Sequence, residues 1–393
     1  MYSEQDLRDA VAGGAISEES AEVLRHHVAQ MRQMPITDEE NFRLVNSFND
    51  IFVAIGVVIM LVAMGAVGQA IAGEVARGVY PDVNDSIPWW PETSLEEQER
   101  YFAFRDLRSA LSALFGGALV AASAWGLAEF FTRRRRMALP SILLLLAFIG
   151  GVGAAVFGIG WSVLPDLSDK TAALAVGSAG LAAATGAWFH WRRFMVPITV
   201  AAGAAAVALT VIALIAAGIA SVLEPRNTDM ETIVLSLVFL AGLAIFAFAM
   251  RWDMSDRERK TRRSDVAFWL HLVAAPMIAH PIFALIGVID NDELGIGAAL
   301  AVVAVYVGFG LVALAVDRRA LLVSALAYVL IALTFLFDRF GAVELTFALT
   351  ALVIGSALLT LSAFWAPIRT GLVERLPGGL QERLPITGYL AAA

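Results

Sequence analysis

Two histidines and two prolines share one apolar stretch, DVAFWLHLVAAPMIAHPIFALIGVID, and no other apolar stretch holds a histidine so far from its ends. Imidazole titrates near neutrality, so His271 and His280 are candidates to take up and release a proton. Pro276 and Pro281 lack the N–H groups that would bond the carbonyls of Leu272 and Met277. A helix here should therefore kink and expose two acceptor oxygens. Broken helices with polar groups near mid-bilayer build substrate and ion sites in many transporters. His271, His280, Pro276, Pro281, Leu272 and Met277 are accordingly the candidate substrate- or proton-binding set. At 1.5 Å per residue, His271 lies about 8 Å and His280 about 21 Å into a span starting near Val266. Nine residues at about 100° each set the two rings on opposite faces of a regular helix, which favours two separate polar contacts over one histidine pair. The structural alternative, given equal weight, is two neutral histidines that bond neighbouring helices and fix packing.

The elements that must position these residues are membrane helices. Hydrophobic residues make up 59% of the 393 and charged residues only 16%, too few to cover a soluble domain. The reading is an all-α, polytopic transmembrane bundle of about ten spans, near 51–73, 109–131, 138–164, 172–190, 196–223, 230–250, 265–289, 295–316, 320–337 and 343–366. Residues 1–49 form a small cytoplasmic helical segment, 50–367 the bundle with a periplasmic loop at 74–108, and 368–393 a cytoplasmic tail. With the N-terminus inside, twenty-one of the 28 Lys and Arg residues fall in inner loops and tails, among them Arg133 to Arg136, Arg192, Arg193, Arg318 and Arg319. The positive-inside rule thus puts both termini in the cytoplasm, and the basic loop RWDMSDRERKTRR is one of a series of inner anchors. Trp89 and Trp90 in the long acidic outer loop are the expected interfacial membrane anchor.

Capping signals mark several helix starts: Ser17 before Glu18 and Glu19, Thr37 with Glu40, and Ser94 with Glu97. Gly13-Gly14 should stop the first helix. Met1 to Asp50 is polar, so no cleavable signal peptide is expected. His26 and His27 read as solvated helix surface, and His190 and Glu129 as inner-end residues reaching the interface. The glycines of spans three and four, including Gly150, Gly151, Gly158, Gly180 and Gly186, should let helices pack closely. AVGSAGLAAATGAWFHWRR resembles LVIGSALLTLSAFWAPIR, a weak repeat that helices with small, aromatic and basic residues at their inner ends would also produce.

Other chemistries find little support. The chain has no cysteine, which excludes disulfides, thiolate metal sites and thiol nucleophiles. No zincin motif, P-loop or Ser-His-Asp order is present, and Asp82, Asn84, Asp85 and Ser86 lack the glycine and distal glutamate of a calcium loop. No cofactor, metal or nucleic acid is expected, and an enzyme would have to rely on histidines alone.

The N-terminal stretch LRDAVAGGAISEESAEVLRHHV, with Leu7, Gly14, Ile16, Ser17, Glu19, Ala21 and Leu24 ahead of many spans, resembles bacterial "predicted membrane protein" families of unknown function that begin with such a helical segment. The resemblance covers about forty residues. It implies a bacterial inner-membrane protein and carries no substrate across. Two functions are expected from these features. One is a transporter-like protein with a site near the proline-broken seventh span, taking a small solute or proton. The other is a non-transporting scaffold or sensor that binds a cytoplasmic protein partner through residues 1–49.

Overall fold

A computed structural model describes residues 4–32, 48–83, 94–163, 168–222, 229–257, 259, 261–287, 295–339 and 346–386. Every regular element among them is a helix: α1 (Glu4–Ala12), α2 (Glu18–Arg32), α3 (Phe48–Val79), α4 (Leu95–Phe131), α5 (Ala138–Val163), α6 (Asp169–Phe194), α7 (Ile198–Val222), α8 (Met230–Ser255), α9 (Arg262–Leu285), α10 (Ile296–Val316), α11 (Ala320–Arg339), α12 (Thr346–Ala363), α13 (Trp365–Val373) and α14 (Gly378–Gln381). Nine of these, α3 to α11, are long and apolar enough to cross a membrane. A tenth span results if α12 and α13, bent by 71° at their junction, count as one. The chain is an integral membrane protein with an all-α, polytopic architecture. Trp89 and Trp90, the Thr37–Glu40 cap and Asn84 to Ser86 lie outside the described residues.

Local signals in the sequence account for several boundaries. Gly14 sits at φ +70°, where a side chain would be strained, and ends α1. The Ser17 hydroxyl accepts from the Ser20 N–H at 3.1 Å and starts α2. Ser94 and Glu97 form the full reciprocal capping box, Glu97 N–H to Ser94 Oγ at 3.3 Å and Ser94 N–H to Glu97 Oε2 at 2.8 Å. That cap starts α4 fourteen residues ahead of the expected span at 109, and α3 runs on to Val79, so much of the presumed loop 74–108 is helix. The two extensions are held together where Phe104, 2% exposed, packs edge-on against Tyr80 at 6.4 Å.

The chain divides into two compact units, residues 44–234 and residues 1–43 with 235–393. In the first, α3 to α7 pack through small residues. A Cβ added to Gly117 of α4 would lie 2.6 Å from the Gly151 carbonyl oxygen of α5, and one added to Gly151 would lie 2.6 Å from that of Gly117. Such close approach supplies the dispersion contacts that hold helices together where lipid removes any hydrophobic drive between them.

In the second unit α9 is the most enclosed helix: 56% of its most apolar window is buried, against 17–39% for the other eight membrane-length helices. It runs unbroken through Pro276 and Pro281, contrary to the expected break. Each proline removes one donor, but the helix is clamped along its length, as where Gly242 of α8 brings a would-be Cβ to 3.0 Å from the Met277 backbone. The broken helix is the α12–α13 pair. At the other end of the chain, α1 packs on α2 and buries Ala21, while Val23 and Leu24 stay 65% and 41% exposed.

Candidate functional site

The most unusual chemistry of the second unit gathers where the basic loops meet the helix ends. Asp253, in the last turn of α8, is 1% exposed and receives two groups. Arg318 Nη2 donates to its Oδ1 at 2.6 Å, and His271 Nε2 donates to its Oδ2 at 2.8 Å. A carboxylate only accepts, so the His271 proton sits on Nε2 and leaves Nδ1 as a site for a second proton. Nδ1 is buried and has no hydrogen-bond partner among the described residues. The ring is 2% exposed and lies edge-on to Phe246 at 5.0 Å. Arg318, 1% exposed, also donates to the Ser264 carbonyl at 3.1 Å and so ties the end of α8 to the first turn of α9.

A second carboxylate stands beside the first. Asp317 ends α10 in the left-handed conformation, φ 60°. Its oxygens accept from Arg259 Nη1 at 2.9 Å and from Trp365 Nε1 at 2.7 Å, with Arg369 Nε at 3.5 Å. Arg259 is itself left-handed at φ 53° and donates to the backbone carbonyls of Val316 and Asp317. Burial, reinforced by the like charge of Arg318, pulls the Arg259 guanidinium down to about 10. Burial works to raise the Asp317 carboxyl, but Arg259, Arg369 and the Trp365 hydrogen bond outweigh it and hold that group below the ordinary carboxylate range. Because Asp317 and Arg318 are consecutive, the two carboxylate centres are mechanically one. Trp365, the first residue after the α12–α13 bend, is thereby joined to His271 through Asp317, Arg318 and Asp253.

The expected site residues separate. His271 belongs to this buried cluster. His280 does not: its ring is exposed, and its Nδ1 is hydrogen-bonded to the Tyr328 hydroxyl of α11 at 2.7 Å, with Tyr328 stacked on Phe283 at 4.4 Å. The opposite-face geometry thus holds. Pro276 is exposed and Pro281 buried. Leu272 packs in an apolar cluster with Ala275, Leu314, Leu321 and Trp365, and Met277 lies against Gly242. Asp265 is in the first turn of α9 and is buried.

In the other unit His190 is fully buried, contrary to the interfacial position expected of it. Trp125, Phe148 and Phe194 surround it, and its Nδ1 is 3.3 Å from the Thr199 hydroxyl. Glu129 does sit at the surface and takes a two-point contact from Arg193 at 2.7 and 2.9 Å.

From sequence, Arg318 reads only as an inner-loop charge, Asp253 only as part of the loop RWDMSDRERKTRR, and Asp317 is not singled out. The signal that could have singled them out is an aspartate close to the arginines in each of these two inner loops, a ready partner for a buried guanidinium. No group of three or more His, Asp or Glu poised to hold a metal occurs among the described residues. No family model, curated protein or solved structure matches the chain.

Proposed function

We propose that the protein is a transporter-like component of a bacterial inner membrane, with both termini cytoplasmic, and that Asp253, His271 and Arg318 form its proton-responsive centre. The observation that carries this reading is the burial of an aspartate, an arginine and a histidine with a vacant ring nitrogen among apolar helices. Each such group is costly to remove from water, and a buried histidine beside a charged pair is a candidate to take up and release a proton. Asp253 and Arg318 balance one another, so a proton arriving at Nδ1 of His271 adds an uncompensated charge. Arg259 and Asp317 face the same centre from the α8–α9 connection and the end of α10. The two-state element this charge would bias is the bent α12–α13 pair, linked to the centre through Trp365 and Asp317. Discontinuous helices next to polar centres are the recurring hinge of transporters. His280 with Tyr328 is a separate polar contact in this scheme.

The test is flux through proteoliposomes that trap a pH-sensitive dye, challenged in turn with amino acids, sugars, carboxylates and cationic amphiphiles. The expected result is solute-dependent proton movement by the natural protein and its loss in His271→Gln at unchanged folded yield. Flux equal to that of empty vesicles across the whole panel, or a His271→Gln variant that behaves like the natural protein, overturns the reading.

One observation favours the second reading, a scaffold or sensor. Val23 and Leu24 of the small α1–α2 pair are exposed, as an apolar face awaiting a cytoplasmic partner would be. Removal of residues 1–35 distinguishes the two: a scaffold loses its partner, and a transporter keeps its flux. The resemblance of the same stretch to bacterial membrane-protein families supports the location under either reading.

A further inference from the structure

The first unit carries an apolar groove unrelated to the histidine centre. It has a volume of about 530 Å³ and runs along α6 past Ser178, Leu181, Thr185, Gly186 and Phe189, with Phe148 of α5 as its other wall. The α6 positions recur every three or four residues and so form one stripe. Its two hydroxyls are already satisfied by their own helix, Ser178 Oγ donating to the Ala175 carbonyl at 2.8 Å and Thr185 Oγ1 to that of Leu181 at 2.8 Å. The groove therefore presents nothing to a polar occupant and suits hydrocarbon. From Ser178 to Phe189 it is about 16 Å long, the reach of a lipid acyl chain over most of its length.

The same stripe continues, three residues beyond Phe189, into Arg192. That arginine is exposed, and its guanidinium carbon lies 5.0 Å from the centre of the Trp188 ring. It makes no hydrogen bond or ion pair among the described residues, whereas its neighbour Arg193 and Arg133 are both committed to Glu129. Arg134 and Arg135 add charge on the same side, so the groove ends near a surface rich in arginine. A hydrocarbon channel that opens under a stacked, uncommitted arginine matches an anionic lipid in both its parts. The second unit has a smaller hollow of about 130 Å³, lined by residues of α11 and α12 and by Arg319, whose guanidinium lies 4.8 Å from the centre of the Trp365 ring.

We infer that this α5–α6 groove is a binding site for an anionic glycerophospholipid, with one acyl chain lying along α6 and the phosphate-bearing headgroup held by Arg192 on its Trp188 platform. The charge at the groove's end selects lipid over a neighbouring helix, which would fill the apolar stripe but leave Arg192 unused. Native mass spectrometry of the full chain in detergent, titrated with phosphatidylglycerol and phosphatidylcholine of identical acyl chains, tests it. Phosphatidylglycerol should be retained about fivefold more, the size of one arginine's attraction to an anionic surface. Arg192→Gln should bring the two lipids to parity, Arg192→Lys should keep the preference, and Leu181→Gln, at an exposed position of the groove, should lower retention of both. Equal retention of the two lipids by the natural protein, or a preference that survives Arg192→Gln, overturns the site. A shift from dimer to monomer in Leu181→Gln with lipid retention unchanged does so too, by making a second copy the occupant.

Discussion

Asp253 is the residue on which the buried cluster depends, because it is the acceptor for both Arg318 and His271. Breaking a buried ion pair by removing one partner typically costs about 3–5 kcal/mol, mostly the penalty of leaving the other charge desolvated. Asp253→Ala should therefore lower the unfolding midpoint in detergent sharply. Replacing Asp253 by Leu, His271 by Phe and Arg318 by Met together should recover most of the loss, since apolar residues of similar volume offset the missing pair and leave no buried polar group without a partner. Asp317 makes a separate prediction through pH. Its folded-state carboxyl lies below the ordinary value of 3.8, so its contribution is fully present above that value and is lost as pH falls through the folded one. Asp317→Asn should lower stability at neutral pH and flatten the acid limb below about pH 4, measured as melting temperature against pH. A limb unchanged in the variant would assign acid sensitivity to other carboxylates.

At the scale of elements, close helix contact in the first unit rests on single glycines. With a would-be Cβ at 2.6 Å from the Gly151 oxygen, Gly117→Ala forces α4 and α5 apart, and overpacking of this kind costs about 1–3 kcal/mol. Gly150, one residue from Gly151, has nothing within 4 Å of its would-be Cβ, so Gly150→Ala should leave the melting temperature almost unchanged. The contrast between these neighbours shows what was legible in the sequence. Glycine-rich spans were readable as close-packing helices, but which glycine touches which depends on helix rotation, which composition does not encode. Caps were readable to the residue at Ser17 and Ser94, because a cap is a contact between residues three apart. The proline-based break was misread. Pro276 and Pro281 guarantee two missing hydrogen bonds in α9, yet whether the helix bends is set by what packs beside it. The bend at Phe364 has no glycine or proline at its centre to announce it; Pro367 follows three residues on, and the Trp365–Asp317 hydrogen bond crosses forty-eight positions. The cluster was half legible for the same reason: His271 stood out by its depth, while Asp253 and Arg318 looked like loop charges until folding buried them.

For the whole molecule, the count of spans turns on whether α12 and α13 cross once or turn back. The C-terminal segment answers through its contacts. Arg257, in the connection between α8 and α9, donates to the carbonyls of Leu384 at 2.9 Å and Gln381 at 3.2 Å. Arg369 of α13 donates to the Pro385 carbonyl at 2.7 Å and pairs with Asp317, which lies between α10 and α11. Residues 374–386 therefore share a side with the connections after α8 and α10. The C-terminal end of α11 is expected on the opposite side, because α11 is long enough to cross. From there to residue 374 the described helices available for a return are α12 and α13, which predicts that the bent pair makes one crossing and brings the nine membrane-length helices to ten spans. The chain lacks cysteine, which makes this directly measurable. Single cysteines at the exposed positions Ser255 and Glu374 should react with a membrane-impermeant maleimide from the same face of the membrane, and one at Glu96 from the other. Labelling of position 374 together with 96 instead would mean that α12 and α13 re-enter the face they left, and the span count would fall to nine.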